Sequence, residues 1–402
     1  MGFSTGAALS STERRSVAAL AAIYATRMFG LFLLLPVLAL HAGSLPGGTP
    51  LLAGLAVGAY GLAQAVMQIP FGAWSDRYGR KPLIVVGLVL HIAGSLSGAY
   101  ATTALALVWA RALQGLGAVS GPVMALLADQ TRPGSRTRAM AAIGIGIGAS
   151  FVLSLIGGPL IAGVIGVDGL FLLIGVMGAA ALALVRFAVP AETPRRLRAR
   201  SWRAAMTRRL LPQYAGVFVL HLSLTACFIA VPFALRDLHG IPVASHWQVY
   251  LAVFAASFAL TIPLILWSER ARRPDRVMLA GGLLLAAALS ALAWTHADLR
   301  LLAVSLTFYF GAFNFLEARL PASLADAAGE SARGAAMGVF STCQFAGAFA
   351  GGAIGGALLG SPLALSGIFA FAALASAAWL PQAGRSELRR MGPKADVPAP
   401  GE

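Results

Sequence analysis

Charge is scarce in this sequence. Of 402 residues, 11% are charged, 30 basic and 15 acidic, where a soluble domain carries about 25%. Cysteine is scarcer: Cys227 and Cys343 are the only two, both inside apolar runs, so neither a disulfide framework nor a metal cluster is expected. No HExxH motif occurs and no pair of aspartates falls at mid-membrane depth, so the polar set of a membrane hydrolase or transferase is missing. Short alternating apolar stretches are lacking too, which excludes a membrane β-barrel.

What is present is apolar. Hydrophobic residues make up 58% of the chain and the mean hydropathy is +0.79. A membrane helix takes about 20 mostly apolar residues, so the content suffices for roughly eleven or twelve crossings and leaves no soluble domain. Glycine (46) and proline (21) are frequent, as membrane helices tolerate. The chain reads as an all-α polytopic membrane protein. Charge, Gly and Pro divide it into twelve spans at about 16–41, 51–74, 81–100, 103–128, 139–164, 167–189, 211–236, 246–268, 276–296, 299–322, 334–360 and 362–381. The first run is too long for a signal-peptide core and reads as an uncleaved helix.

Placing both termini in the cytoplasm puts 26 of the 30 cations in inner segments and two, Arg236 and Arg300, in outer loops. That is the positive-inside distribution. It also accounts for the net charge of +15 through topology and anionic inner-leaflet lipid; the clusters are short and lack interleaved aromatics, so no nucleic-acid partner is expected. The organisation read from this is a six-helix half over 1–189, a basic cytoplasmic linker over 190–210, a second half over 211–381 and a cytoplasmic tail over 382–402.

The halves repeat each other. Pro70, Trp74, Asp76 and Arg77 match Pro263, Trp267, Glu269 and Arg270 at a separation of 193, and Asp129, Arg136 and Met140 match Asp326, Arg333 and Met337 at 197. Pro36 pairs with Pro232 at 196. Parallel repeats about an axis along the membrane normal bind their substrate between them near the midplane.

The motifs then resemble one family. Gly72, Asp76, Arg77, Gly79, Arg80 and Lys81 reproduce the loop motif of the major facilitator superfamily between its second and third helices, and Leu107, Arg111, Gln114, Gly115, Gly117 and Ala118 are similar to its fourth-helix motif. Gly158, Pro159 and Gly163 resemble the G-P-x-x-G-G element of proton-driven antiporters, with Ser154 and Ala162 departing from it. The runs SDRYGRKPLIV, RALQGLGA, VMALLAD and MGVFSTCQFAGAFAGG resemble YajR-type members of the drug:proton antiporter group across all twelve spans. Those members carry a small soluble C-terminal domain; the chain ends about 20 residues after the twelfth span, so no role of such a domain is expected. The resemblance implies a cytoplasmic gate of Gly72, Asp76, Arg77, Gly79, Arg80 and Asp129 facing the start of span eleven near Arg333, with Glu269 in the matching loop of the second half. A topology anchor without gating is the plainer reading of those charges.

Ionisable groups inside spans cost roughly 2.5–3.5 kcal/mol at a helix centre and are functional candidates by default. Arg27, His221, Glu317 and Arg111 qualify and form the expected proton-coupling set. A buried carboxyl is driven toward neutrality and lowered again by a cation or water, which suits Glu317; an imidazole titrates near neutral pH, which suits His221. Arg27 is expected to neutralise an anionic substrate or Glu317. No carboxylate falls at mid-depth in spans one to six. Tyr24, Tyr60, Gln64 and Gln68 in spans one and two, Phe228, Tyr250 and Phe254 in seven and eight, and Phe310 and Asn314 beside Glu317 in ten are the candidate cavity wall, since ligand pockets are mostly apolar with a few polar groups. Aromatics at such spacing equally serve packing. The expected function is proton-coupled export of hydrophobic or amphipathic small molecules through the inner membrane by alternating access; a proton symporter or facilitator for a polar metabolite is the alternative, with a membrane enzyme or a membrane sensor behind both. The expected partners are substrate, protons and lipid, with no cofactor or metal, and a monomer suffices.

Overall fold

The computed structural model describes residues 9–190, 202–271 and 274–388. Most of the basic linker, Arg273 and the end of the tail lie outside the described residues. Within them every regular element is helical. The helices are α1 (Ser11–Ser44), α2 (Pro50–Tyr78), α3 (Arg80–Ala99), α4 (Ala104–Leu116), α5 (Ser120–Asp129), α6 (Pro133–Phe187), α7 (Trp202–Ala205), α8 (Leu211–Phe233), α9 (His246–Arg270), α10 (Pro274–Thr295), α11 (Leu299–Leu359) and α12 (Ala364–Leu388).

Local chemistry sets the ends. Ser10 and Glu13 form a capping box at the start of α1, Thr49 caps α2 ahead of Pro50, and the Asp298 carboxylate accepts from the backbone N–H of Arg300 and Leu301 at the start of α11. Each satisfies donors that a helix start leaves free. Between α2 and α3 a single residue, Gly79, turns the chain at φ 100, a region closed to most side chains.

Eleven described segments are long and apolar enough to cross a bilayer, against the twelve spans read from the sequence. The difference lies in α6, where a run of 54 residues from Gly134 to Phe187 counts as one. At about 1.5 Å per residue it would reach far beyond a hydrocarbon layer of about 30 Å. Gly166 breaks it at φ 72 and ψ 174. Both ends of α6 return to the start of α1: Ser135 Oγ donates to Glu13 at 2.8 Å, and Arg15 Nη2 donates to the Phe187 carbonyl at 2.9 Å. The run therefore doubles back at Gly166, and its two legs fall on the fifth and sixth expected spans. Gly329 breaks α11 in the same way at φ 69.

The repeat reappears as contacts. Ser150 and Ser154 hydroxyls in α6 donate to the α1 carbonyls of Ala25 and Phe29, each at 2.9 Å. One turn on, a Cβ on Gly158 would lie 2.3 Å from the Leu33 carbonyl. In the second half, a Cβ on Gly347 or Gly351 of α11 would lie 2.1 or 2.2 Å from the α8 carbonyls of Phe218 and Leu222, and one on Gly355 would come 3.7 Å from Ala226. The α6 and α11 positions match at 197, as in the sequence repeat, and their α1 and α8 partners match at 193, three short of the Pro36–Pro232 pairing at 196. Small residues allow this approach, as membrane packing requires; Ser154 fits where glycine is the pattern because its hydroxyl bonds the facing backbone.

Candidate functional site

Four helices bring the halves together. Gly54 and Gly58 of α2 face Gly352 and Gly356 of α11, where a Cβ on Gly54 would stand 2.2 Å from the Gly352 carbonyl. Nearby, a Cβ on Gly163 of α6 would meet Ala244, ahead of α9, at 2.7 Å. All these positions lie toward the end of the bundle opposite the basic clusters, and the two halves meet there backbone to backbone.

Below the glycines sits an aromatic plug. Phe151 of α6 lies 5.5 Å from Phe254 of α9 and 6.4 Å from Phe313 of α11 between ring centroids. Phe254 and Phe310 are 4.4 Å apart, and Phe228 lies within 6.3 Å of both Tyr250 and Phe310. Phe228, Tyr250, Phe254 and Phe310 are at most 2% exposed. These four, expected to line a cavity, are instead packed on one another in this conformation. Their helical spacing carried no information on which of the two roles applied.

Two sequence-selected ionisable groups do meet. His221 of α8 and Glu317 of α11 place Nε2 and Oε2 3.8 Å apart, with the Glu317 side chain 38% exposed. The imidazole packs edge-on to Phe313. Nδ1 lies 3.1 Å from the Val217 carbonyl and Nε2 lies 2.7 Å from the Gln344 side-chain amide nitrogen. Gln344 was not selected from the sequence; the one signal for it was a long polar side chain within an apolar run. Asn314, one turn before Glu317, keeps a buried amide nitrogen without a partner.

The other two do not join that pair. Arg27 is 2% exposed and Arg111 1%. Arg27 donates to Gln64 Oε1 at 2.7 Å, to Ser120 Oγ at 3.3 Å and to the Gly117 carbonyl. The last contact has a local cause: helix breaks between α4 and α5, and short turns such as Val119 N–H to Gly117 O at 2.8 Å replace the regular ladder. Out of the regular ladder, the Gly117 carbonyl accepts from both the Val119 N–H and the Arg27 guanidinium. Arg111 donates to Gln114 Oε1 at 2.6 Å, and Gln114 passes the chain on to Ser95 Oγ at 2.8 Å. Tyr60 accepts both guanidinium groups over its ring, 5.9 Å from Arg27 and 4.9 Å from Arg111. Gln68 accepts from Gln64 at 3.3 Å, and Tyr24 lies half-buried one turn before Arg27. Arg27, expected to neutralise an anionic substrate or Glu317, thus sits inside the first half among neutral partners.

At the basic face, Arg80 bonds Asp76 and lies 3.6 Å from Asp129, and its Nη1 also donates to Ser75 at 2.8 Å. Gly72 is buried and its carbonyl accepts from Ser75 at 2.9 Å. The Arg77 guanidinium lies 5.3 Å from the Tyr78 ring. In the second half Glu269 and Arg333 are exposed, and Arg333 Nε donates back to the Ala325 carbonyl of its own helix at 3.4 Å. A further acid, Glu13, was missed by motif reading although Ser10 and Glu13 carry the S-x-x-E signature. It is 5% exposed and binds Arg132 through Oε2 at 2.9 Å, tying α1 to the loop between α5 and α6.

The comparisons agree with this architecture. The family model for the Major Facilitator Superfamily matches residues 20–213 and 213–400. The inner membrane transport protein YajR of Escherichia coli is 38% identical over 377 residues, 92% of this chain and 82% of that protein. The multidrug resistance protein MdtH of Klebsiella pneumoniae is 29% identical over 326 residues, 77% of this chain and 78% of that one. Among solved structures, a bacterial homologue of the human lysosomal transporter Spinster, inward-facing and occupied, superposes with a TM-score of 0.74 at 15% identity over 96% of this chain and all of that one.

Proposed function

The chain belongs to the major facilitator superfamily, a family of transporters and not of enzymes, and we propose that it is a proton-driven exporter of hydrophobic or amphipathic small molecules. The observation that carries the reading is the pairing of His221 with Glu317 at 3.8 Å, with the Glu317 side chain 38% exposed. An acid and an imidazole side by side at mid-depth form a site that takes a proton from one aqueous side and yields it to the other. The first half offers no acid at that depth, so coupling falls to the second half. Kinship with proteins named for multidrug resistance and an aromatic, largely apolar centre support greasy cargo over polar metabolites.

The backbone contacts between the halves lie toward the other face, so we read the basic face as the open side, and the positive-inside distribution puts it in the cytoplasm. Export then runs from this inward-facing state: cargo and proton exchange near Glu317, the glycine contact of α2 and α11 parts, and the Asp76–Arg80–Asp129 cluster closes against the start of the second leg of α11. One proton moving inward through 100 mV supplies about 2.3 kcal/mol, enough for accumulation of about fifty-fold.

Reconstitution into liposomes with an imposed proton gradient and a panel of lipophilic cations and dyes tests this. Wild-type protein accumulates a compound against its gradient, and Glu317→Gln carries it only downhill. Identical uphill transport by the variant overturns the assignment, and cargo moving with the proton makes the protein a symporter.

A further inference from the structure

Resting on the coupling reading above, we infer that Gln344 is a positioning residue for proton exchange, holding neutral His221 in one tautomer and losing that bond when the proton arrives. Nδ1 of His221 faces the Val217 carbonyl at 3.1 Å. A carbonyl only accepts, so Nδ1 carries a hydrogen. Nε2 faces the amide nitrogen of Gln344 at 2.7 Å. An amide N–H only donates, so Nε2 presents its lone pair. The imidazole as placed is therefore neutral, protonated on Nδ1, and both ring nitrogens are satisfied.

A proton that reaches the imidazole, directly or by way of Glu317, goes to the Nε2 lone pair. Once there, two donors oppose each other across 2.7 Å, and the contact with Gln344 breaks or its amide turns. The acceptor within reach is Glu317 Oε2 at 3.8 Å. The imidazole also packs edge-on to the Phe313 ring, and the charged side chain next to Glu317 along the first leg is half-buried Arg319, two residues on. The bond thus exchanges between two legs of α11. Neutral His221 binds the second leg through Gln344, and protonated His221 binds the first leg through Glu317. Release reverses the step: Nε2 returns its proton through Glu317 to water and accepts again from Gln344.

The position of Gln344 gives the exchange a mechanical reach. Its neighbour Phe345 packs on Tyr60 of the first half at 6.3 Å, and a Cβ on Gly61 would stand 2.7 Å from the Phe345 carbonyl. Gly352 and Gly356, in the closed contact, lie two and three turns further along the same leg. Breaking the Gln344 bond therefore frees the helix that carries the closed side of the molecule at the moment His221 gains its charge.

Nitrogen-15 histidine spectra of the full-length protein in detergent or nanodiscs test the inference before any transport is measured. The chain has six histidines, and His221→Asn identifies the signal. The expected result is the Nδ1–H tautomer for neutral His221 in wild type. Gln344→Leu and the more flexible Gln344→Met lose the donor, populate the Nε2–H or charged forms, and move the half-maximal point of proton-driven transport to more alkaline pH by about one unit, the size expected for one hydrogen bond. Gln344→Glu substitutes an acceptor and holds His221 charged across the working range. An Nε2–H tautomer in wild type, or spectra unchanged in both neutral variants, overturns the role of Gln344 even if Glu317→Gln uncouples transport. The Nδ1–H tautomer together with coupled transport by Glu317→Gln leaves the hydrogen-bond exchange standing and removes the coupling reading instead.

Discussion

Gly54 and Gly352 meet backbone to backbone. A Cβ on Gly54 would stand 2.2 Å from the Gly352 carbonyl, and one on Gly352 would stand 2.7 Å from that of Gly54. Both positions oppose main-chain atoms, which cannot swing aside, so even a methyl group holds α2 and α11 apart. Gly54→Ala is expected to shift the molecule toward the state open on that face. Spin labels at Leu51 and Ala357, exposed residues flanking the contact, read this as a longer distance distribution than in wild type. An unchanged distribution removes the contact from the gate.

The repeat was visible in the sequence through its matching Pro, Trp, Arg and acidic positions; the glycine seam of α2 and α11 was not, because glycine is frequent throughout the chain. The separation of 197 returns between the contacting positions of α6 and α11, while their partners in α1 and α8 fall at 193 and not at the 196 of Pro36 and Pro232. His221 and Glu317 were legible for a different reason: an ionisable group in an apolar span needs a partner or a purpose. The aromatic plug was not legible. In a bundle interior the face that lines a cleft and the face that packs against the other half share one period, and only the conformation separates them. Arg27 could not be placed either, since its carbonyl partner at Gly117 exists only because the helix breaks there.

The cluster on the basic face gives a sharper test of gating. Arg80 is shared between Asp76 and Asp129, and all three side chains are roughly a fifth to a quarter exposed. Pairs this wet contribute about 0–1 kcal/mol to stability. Asp76→Asn is therefore expected to leave the melting temperature within about 2 °C of wild type while reducing export several-fold. The combined measurement is a thermal melt in detergent and dye efflux from the same preparation. A large fall in melting temperature with proportionate loss of transport makes the cluster an anchor and not a gate.

Acid pH probes the other face. Asp298 accepts from the Leu301 and Arg300 backbone donors, which hold its carboxyl below the ordinary value of 3.8, with the Leu301 bond the larger cause. A depressed folded-state pKa means that the contribution is complete above 3.8 and is lost as the pH falls below it. Asp298→Ala is expected to melt below wild type at pH 7, with the gap narrowing as the pH falls below 3.8. Asp298→Asn keeps an accepting oxygen and falls between the two. A gap that does not change with pH removes the carboxylate charge from the account.

Arg27 separates structure from coupling most cleanly. Its guanidinium spreads three donations over Gln64, Ser120 and the Gly117 carbonyl, with Gly117 at the break between α4 and α5. Removing it leaves buried acceptors unpaired, each costing about 1–3 kcal/mol. Arg27→Met is expected to lower the melting temperature by several degrees and reduce the folded yield. Arg27→Lys keeps the charge, but a single ammonium cannot span three directed acceptors, so part of the loss remains. Arg27 makes no contact with Glu317, and the pH dependence of transport by the folded fraction of Arg27→Lys is therefore expected to match wild type. A shifted pH profile at unchanged stability would return Arg27 to the coupling machinery, and Gly117, whose carbonyl it holds, would then be the first place to look for the moving part.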